Sequence, residues 1–161
     1  MVSLLIIAPV ESLQKEINQT VQSFKGKPGI YVSLNKTHKS TQDILKKEGI
    51  SIENLFFIDC VTSEKIIPDV LNIPPTQLGQ LSYAILSFIK ELEGKKFLLI
   101  DALSTLLIYN EENKVAQFVK EITEYASENN VEVIALSPKT KGEELLNKIF
   151  NFFDKVKKDK K

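Results

Sequence analysis

The stretch KFLLID, Lys96 to Asp101, places one carboxylate directly after four apolar residues and before Ala102-Leu103-Ser104-Thr105. A strand that ends in a carboxylate is a common way to hold a magnesium ion beside a nucleotide. A second run, NLFFID, ends the same way at Asp59, and Lys139 follows a third, VEVIAL. Asp59, Asp101 and Lys139 would make an acidic-plus-lysine pocket of the kind that accepts a phosphoryl group. The plainer expectation is that each aspartate caps a turn, Asp101 by accepting a backbone N–H near Ser104. Lys139, Thr140 and Lys141 precede a helical stretch and could hold an anion there; a solvated connection is the simpler reading of Ser137 to Gly142.

Other reactive groups are scarce. His38 is the single histidine and stands among Lys36, Thr37 and Lys39, so a surface position is expected. Cys60 is the single cysteine, which excludes an internal disulfide and a cysteine-rich zinc site and suggests a small, half-buried residue. All 21 basic residues are lysine, so planar bidentate phosphate recognition and arginine-finger chemistry are missing from the chain. They balance 21 acidic residues, and no overall field favours nucleic acid.

A phosphate-cradling loop of the form G-x-x-x-x-G-K-[ST] uses glycines so that successive N–H groups turn inward, and a lysine to reach the outer phosphates. After the first apolar run come Pro9-Val10-Glu11-Ser12, with no glycine and with a carboxylate where phosphate would sit. Gly26-Lys27 runs into Pro28, and Gly94-Lys95 into Lys96, so Gly-Lys is nowhere followed by Ser or Thr. After the second run, Asn35-Lys36 offers no carboxylate as a general base for water.

These residues must be positioned by five short apolar runs: 2–8, 29–34, 54–59, 96–101 and 131–136. Each is continuous rather than alternating, as in strands buried on both faces. Stretches with helical spacing lie between most of them. Ile17, Val21 and Phe24 share one face; Ile44 and Leu45 are the apolar pair of the next helix. Leu78, Leu81, Ile85, Phe88, Ile89 and Leu92 line a third, and Val115, Phe118, Val119, Ile122 and Tyr125 a fourth. Leu145, Leu146, Ile149, Phe150, Phe153 and Val156 form a last, wide stripe. Alternating strand and helix predicts an α/β, three-layer αβα domain with a mostly parallel five-stranded sheet. Ser40 to Asp43 has the spacing of a capping box, and Gly49 suits a left-handed helix end. Cys60 to Pro75 reads as the one long irregular piece. The chain reads as a single domain over 1–157 with a charged tail at 158–161, part of the run KVKKDKK. With 43% hydrophobic and 26% charged residues it reads as globular, and no apolar run approaches the roughly 18 residues of a membrane span. A cytoplasmic location away from membranes is the expectation.

Three segments together resemble the RecA superfamily, nearest its KaiC and RadA-like branch. FLLIDALSTLLIYNEENKVAQFVKEI resembles that branch's Walker B segment. GIYVSLNKTHKSTQDILKKEGISIENLFFIDCVTSE resembles its second and third strands, and IPPTQLGQLSYAI the helix before Walker B. The likeness runs from about Gly29 to Lys155. It implies a RecA-like (P-loop NTPase-like) sheet of order 3-2-4-5-1, with residues 2–8 at an edge. It also implies that Pro9 to Ser12 stand where a Walker A loop would be and Asn35-Lys36 where catalytic glutamate would be. Asp101 alone matches, as a vestigial Walker B carboxylate.

The expectation is therefore a degenerate member, a pseudo-ATPase lacking Walker A. It would bind, assemble or regulate without ATP hydrolysis, with no catalytic residue, cofactor or metal. Its partner would be a protein or a second copy, met through the edge strand 2–8 or the C-terminal helix. The alternatives are an enzyme or phospho-acceptor using Asp59, Asp101 and Lys139, and a residual nucleotide-binding ATPase. Single-stranded nucleic-acid binding is disfavoured by the zero net charge and missing arginine.

Overall fold

The computed structural model describes residues 3–61, 70–139 and 143–158. The five apolar runs are all strands: β1 (Ser3–Ala8), β2 (Gly29–Ser33), β3 (Leu55–Asp59), β5 (Lys96–Asp101) and β6 (Val131–Pro138). Two short strands, β4 (Val70–Asn72) and β7 (Lys155–Lys158), add to them. The helices are α1 (Val10–Ser23), α2 (His38–Lys47), α3 (Leu78–Glu91), α4 (Leu106–Tyr109), α5 (Glu112–Glu128) and α6 (Glu143–Ile149).

Among the described residues the sheet has seven strands in the order β4-β3-β2-β5-β6-β1-β7, and every neighbouring pair is parallel. The expected order of the five long strands is its centre. Because side chains alternate across a strand, each strand feeds two cores. Leu5, Ile7, Ile30, Val32 and Leu98 pack under α3, α5 and α6. Ile6, Ala8, Tyr31, Phe57 and Leu99 pack under α1 and α2. Phe57 is buried, while Phe56 on the opposite face tilts against Phe88 with ring centroids 5.9 Å apart.

Several expectations change. β1 is not an edge: β6 lies on one side and β7 on the other, with Leu4 opposite Lys155 and Ile7 opposite Lys158. The backbone edge of an apolar strand needs a partner, and the lysine-rich segment supplies it. Val156 thus sits in β7 rather than on the last helical stripe, and Lys158 is a strand residue rather than tail. Leu145, Leu146 and Ile149 of that stripe are buried in the domain's own core. Part of the expected irregular piece is strand β4, paired with β3; residues 62–69 lie outside the described residues. Helix α2 begins at His38, one turn earlier than the Ser40 spacing suggests, because the Thr37 side chain accepts the Ser40 N–H at 3.1 Å. Gly49 has φ +73°, the left-handed end anticipated from sequence.

Candidate functional site

The carboxyl ends of the central strands carry a polar row on the α1/α2 face. Ser33 is in register with Asp59 on one side and Asp101 on the other. The row follows from alternation: Tyr31 and Ser33, Phe57 and Asp59, and Leu99 and Asp101 each share a face. All three polar residues are buried.

The row is satisfied from within. Asp59 Oδ2 accepts the His38 backbone N–H at 2.9 Å and lies 2.7 Å from His38 Nδ1; its Oδ1 accepts the Val61 N–H at 2.7 Å. The Ser33 hydroxyl donates to the Lys36 carbonyl and lies 3.4 Å from Thr41 Oγ1. Tyr31 donates its hydroxyl to Asp101 Oδ2 at 3.0 Å, and Asn35 Nδ2 donates to Oδ1 at 3.2 Å. Thr105 donates to the Asn35 side-chain oxygen, which closes the chain Tyr31–Asp101–Asn35–Thr105. Lys36 Nζ is 4.0 Å from Asp101. Together these contacts clamp the β2–α2 connection over the strand ends.

Electrostatics follow from burial. Desolvation pushes the Asp101 carboxyl above its ordinary range, against the opposing pull of Lys36, Tyr31 and Asn35. Desolvation, helped by the Asp101 charge, holds the Tyr31 phenol well above its usual value. Burial and then Asp59 push the Cys60 thiol up to about 12, which disfavours the thiolate.

These contacts revise the sequence reading of individual residues. Asp101 bonds side chains of β2 and the following loop, not backbone near Ser104. Asp59 does cap a turn, at Val61, and also anchors α2. His38 is buried at 7% exposure rather than on the surface, because its ring reaches a carboxylate 21 residues away. Cys60 is buried at 6% rather than half-buried. Lys139 is exposed at the end of β6, its N–H donating to the Ala8 carbonyl at 2.9 Å. The cation beside Asp101 is Lys36. Thr140, Lys141 and Gly142 lie outside the described residues. No cluster of His, Cys, Asp and Glu suited to a metal ion occurs among the described residues. Tyr31, Asn35, Lys36 and Thr41 were not singled out from sequence as partners; the one available signal was that Tyr31 and Ser33 share the face of the strand-end aspartates.

Above the polar row lies a cleft of about 750 Å³. Val10, Leu13 and Pro138 form one wall, Pro74, Pro75 and Thr76 another, and Asn35 and Thr105 part of the floor. Its mouth exposes Val10 at 61%, Ile108 at 73% and Tyr109 at 50%. The β1–α1 connection beside it is a single residue: β1 ends at Ala8 and α1 begins at Val10. Pro9 caps the helix without a side-chain bond, and Glu11 occupies its first turn. Proline carries no N–H, so the connection itself gives nothing to an anion.

No helix among the described residues is long and apolar enough to cross a membrane. No protein-family profile matches the chain, and no curated protein matches it. Solved structures do. A KaiC-like protein of the hyperthermophilic archaeon Pyrococcus horikoshii, PH0186, is 13% identical at a TM-score of 0.68, over 96% of this chain and 69% of that one. PH0321 of the same organism, an uncharacterized protein solved in complex with an unknown peptide, is 14% identical at 0.74, over 98% and 76%. PH0250, also from P. horikoshii, is 12% identical at 0.67, over 98% and 81%. At these identities the likeness is one of fold, and the chain has a RecA/KaiC-like three-layer αβα fold.

Proposed function

We propose that this protein is a non-catalytic RecA/KaiC-like module, which binds a protein segment in its strand-end cleft and assembles or regulates without turning over ATP. The observation that carries this reading is the one-residue connection at Pro9. A phosphate cradle needs several consecutive backbone N–H groups curved round an anion. Here the chain passes from strand to helix in one step, through a residue with no N–H, toward Glu11. The strand-end carboxylate Asp101, which would hold magnesium, is 1% exposed and engaged by Tyr31 and Asn35.

Occupancy by a polypeptide is supported by the aliphatic and aromatic mouth of the cleft, since exposed apolar groups of this kind mark interaction sites. The structural relative PH0321 was solved with an unknown peptide, which favours the same ligand class here. Calorimetry with Mg-ATP tests the reading. No heat of binding and no phosphate release are expected; micromolar affinity or measurable turnover would overturn it.

A further inference from the structure

We propose that the outer edge of β7 is a docking edge for an acidic, extended segment of another protein, which joins the sheet as a further strand. This rests on β7 alone and is independent of the cleft. β7 ends the strand order, and all four of its residues are exposed. On its outer side, the backbone groups of alternate residues meet no strand among the described residues. An unpaired edge is a template for β-strand addition, and a short, lysine-bearing edge such as this one turns away any strand that does not neutralise its charge.

The edge is held ready. β7 is in register with β1 through four residue pairs. Asp154 anchors its start by accepting the Ser3 N–H at 2.9 Å, and Lys157 pairs with Glu16 at 2.8 Å. Those two contacts also engage the Asp154 and Glu16 carboxylates. Lys155 and Lys158 have no carboxylate partner among the described residues. Lys158 Nζ instead lies 5.0 Å from the Phe150 ring centroid. Among the described residues, positive charge without a carboxylate partner thus stands on both faces of the edge, since Lys155 and Lys158 point opposite ways.

That charge selects the partner. A second β7 would set lysine against lysine, and like charges directly opposite destabilise a strand pair. An apolar strand would desolvate the ammonium groups without pairing them. A strand with glutamate or aspartate on both faces meets the lysines and takes up the backbone groups as well. Nucleic acid or an anionic membrane would meet the charge but leave the backbone edge unused.

The test uses the 161-residue chain and a fluorescent peptide of repeating Val-Glu-Glu, which places glutamate on both faces of an extended strand. Saturable binding that weakens as salt rises is expected. Methylating alternate backbone nitrogens of the peptide, at unchanged charge, should weaken it by about ten-fold or more, as should K155E/K158E. That variant keeps the Lys157–Glu16 pair, and its thermal transition checks that it folds; K39E/K47E on α2 makes the same charge change elsewhere and should bind as the parent does. No binding would overturn the proposal. So would equal binding of the methylated peptide, or stronger binding of single-stranded RNA or phosphatidylserine vesicles than of the peptide.

Discussion

His38 meets the Asp59 carboxylate twice: Nδ1 is 2.7 Å from Oδ2, and the backbone N–H donates to that same oxygen at 2.9 Å. One carboxylate thus fixes the side chain and the first turn of α2 together, where a negative charge also suits the positive end of the helix dipole. The contact ties α2 to the end of β3 and defines the floor beneath the β2–α2 connection.

Removing the carboxylate should therefore cost more than removing the ring. Asp59→Ala strands a buried imidazole and two backbone N–H groups and is expected to cost about 2–4 kcal/mol. His38→Ala leaves those backbone bonds in place and is expected to cost about 1–2 kcal/mol. Urea denaturation of both single variants and the double variant measures the coupling. Additive losses would mean that the ring and the carboxylate do not act as a pair.

Asp101 is a charge kept in the interior at a cost. Its folded-state pKa lies above the unfolded value because burial outweighs Lys36, Tyr31 and Asn35. A raised value means that the folded state holds the proton more tightly. This contribution to stability is fully present below the unfolded pKa and is lost as pH rises through the folded one. Asp101→Asn removes the penalty; its amide oxygen still accepts from Tyr31, and a flip of the Asn35 amide lets that side chain accept from the new NH2 while the Thr105 hydroxyl turns from donor to acceptor. At neutral pH its melting temperature is expected above that of the parent, with the gap closing toward acid. A lower melting temperature at neutral pH would show that the ionised carboxylate stabilises the fold.

β7 shields β1. A chain ending at Asp154 would leave Leu4 to Ile7 with an open backbone edge on a strongly apolar strand. Such an edge invites pairing between copies. The truncated chain is expected to melt earlier and to associate in a concentration-dependent way by light scattering. An unchanged melting temperature and a monodisperse monomer would show that β7 is dispensable.

The long strands and the two-sided core were legible in the sequence because burial on both faces leaves continuous apolar runs. β4 and β7 were not. Three residues, VLN, are too few for a pattern, and KVKK has the composition of a solvated end; both are strands because a neighbouring edge recruits them. Asp101 was visible as a strand-end carboxylate, but its meaning depends on Tyr31 and Asn35, which the β2–β5 register brings to it. His38 failed as a surface residue for the same reason. Its neighbours in sequence are polar, and its burial comes from Asp59 on another strand. The missing glycines after β1 were visible in the sequence, but the connection was expected to run from Pro9 to Ser12; it is Pro9 alone, because Val10, Glu11 and Ser12 already belong to α1.

The most direct test is a two-dimensional amide NMR titration with Mg-ATP carried to millimolar concentration. Amides of Ala8, of residues 10–13 and of residues 101–105 are expected to stay in place. Saturable shifts in both sets would mean that a nucleotide docks against the Pro9 turn and Asp101, and would contradict the reading of this protein as a non-nucleotide-binding module.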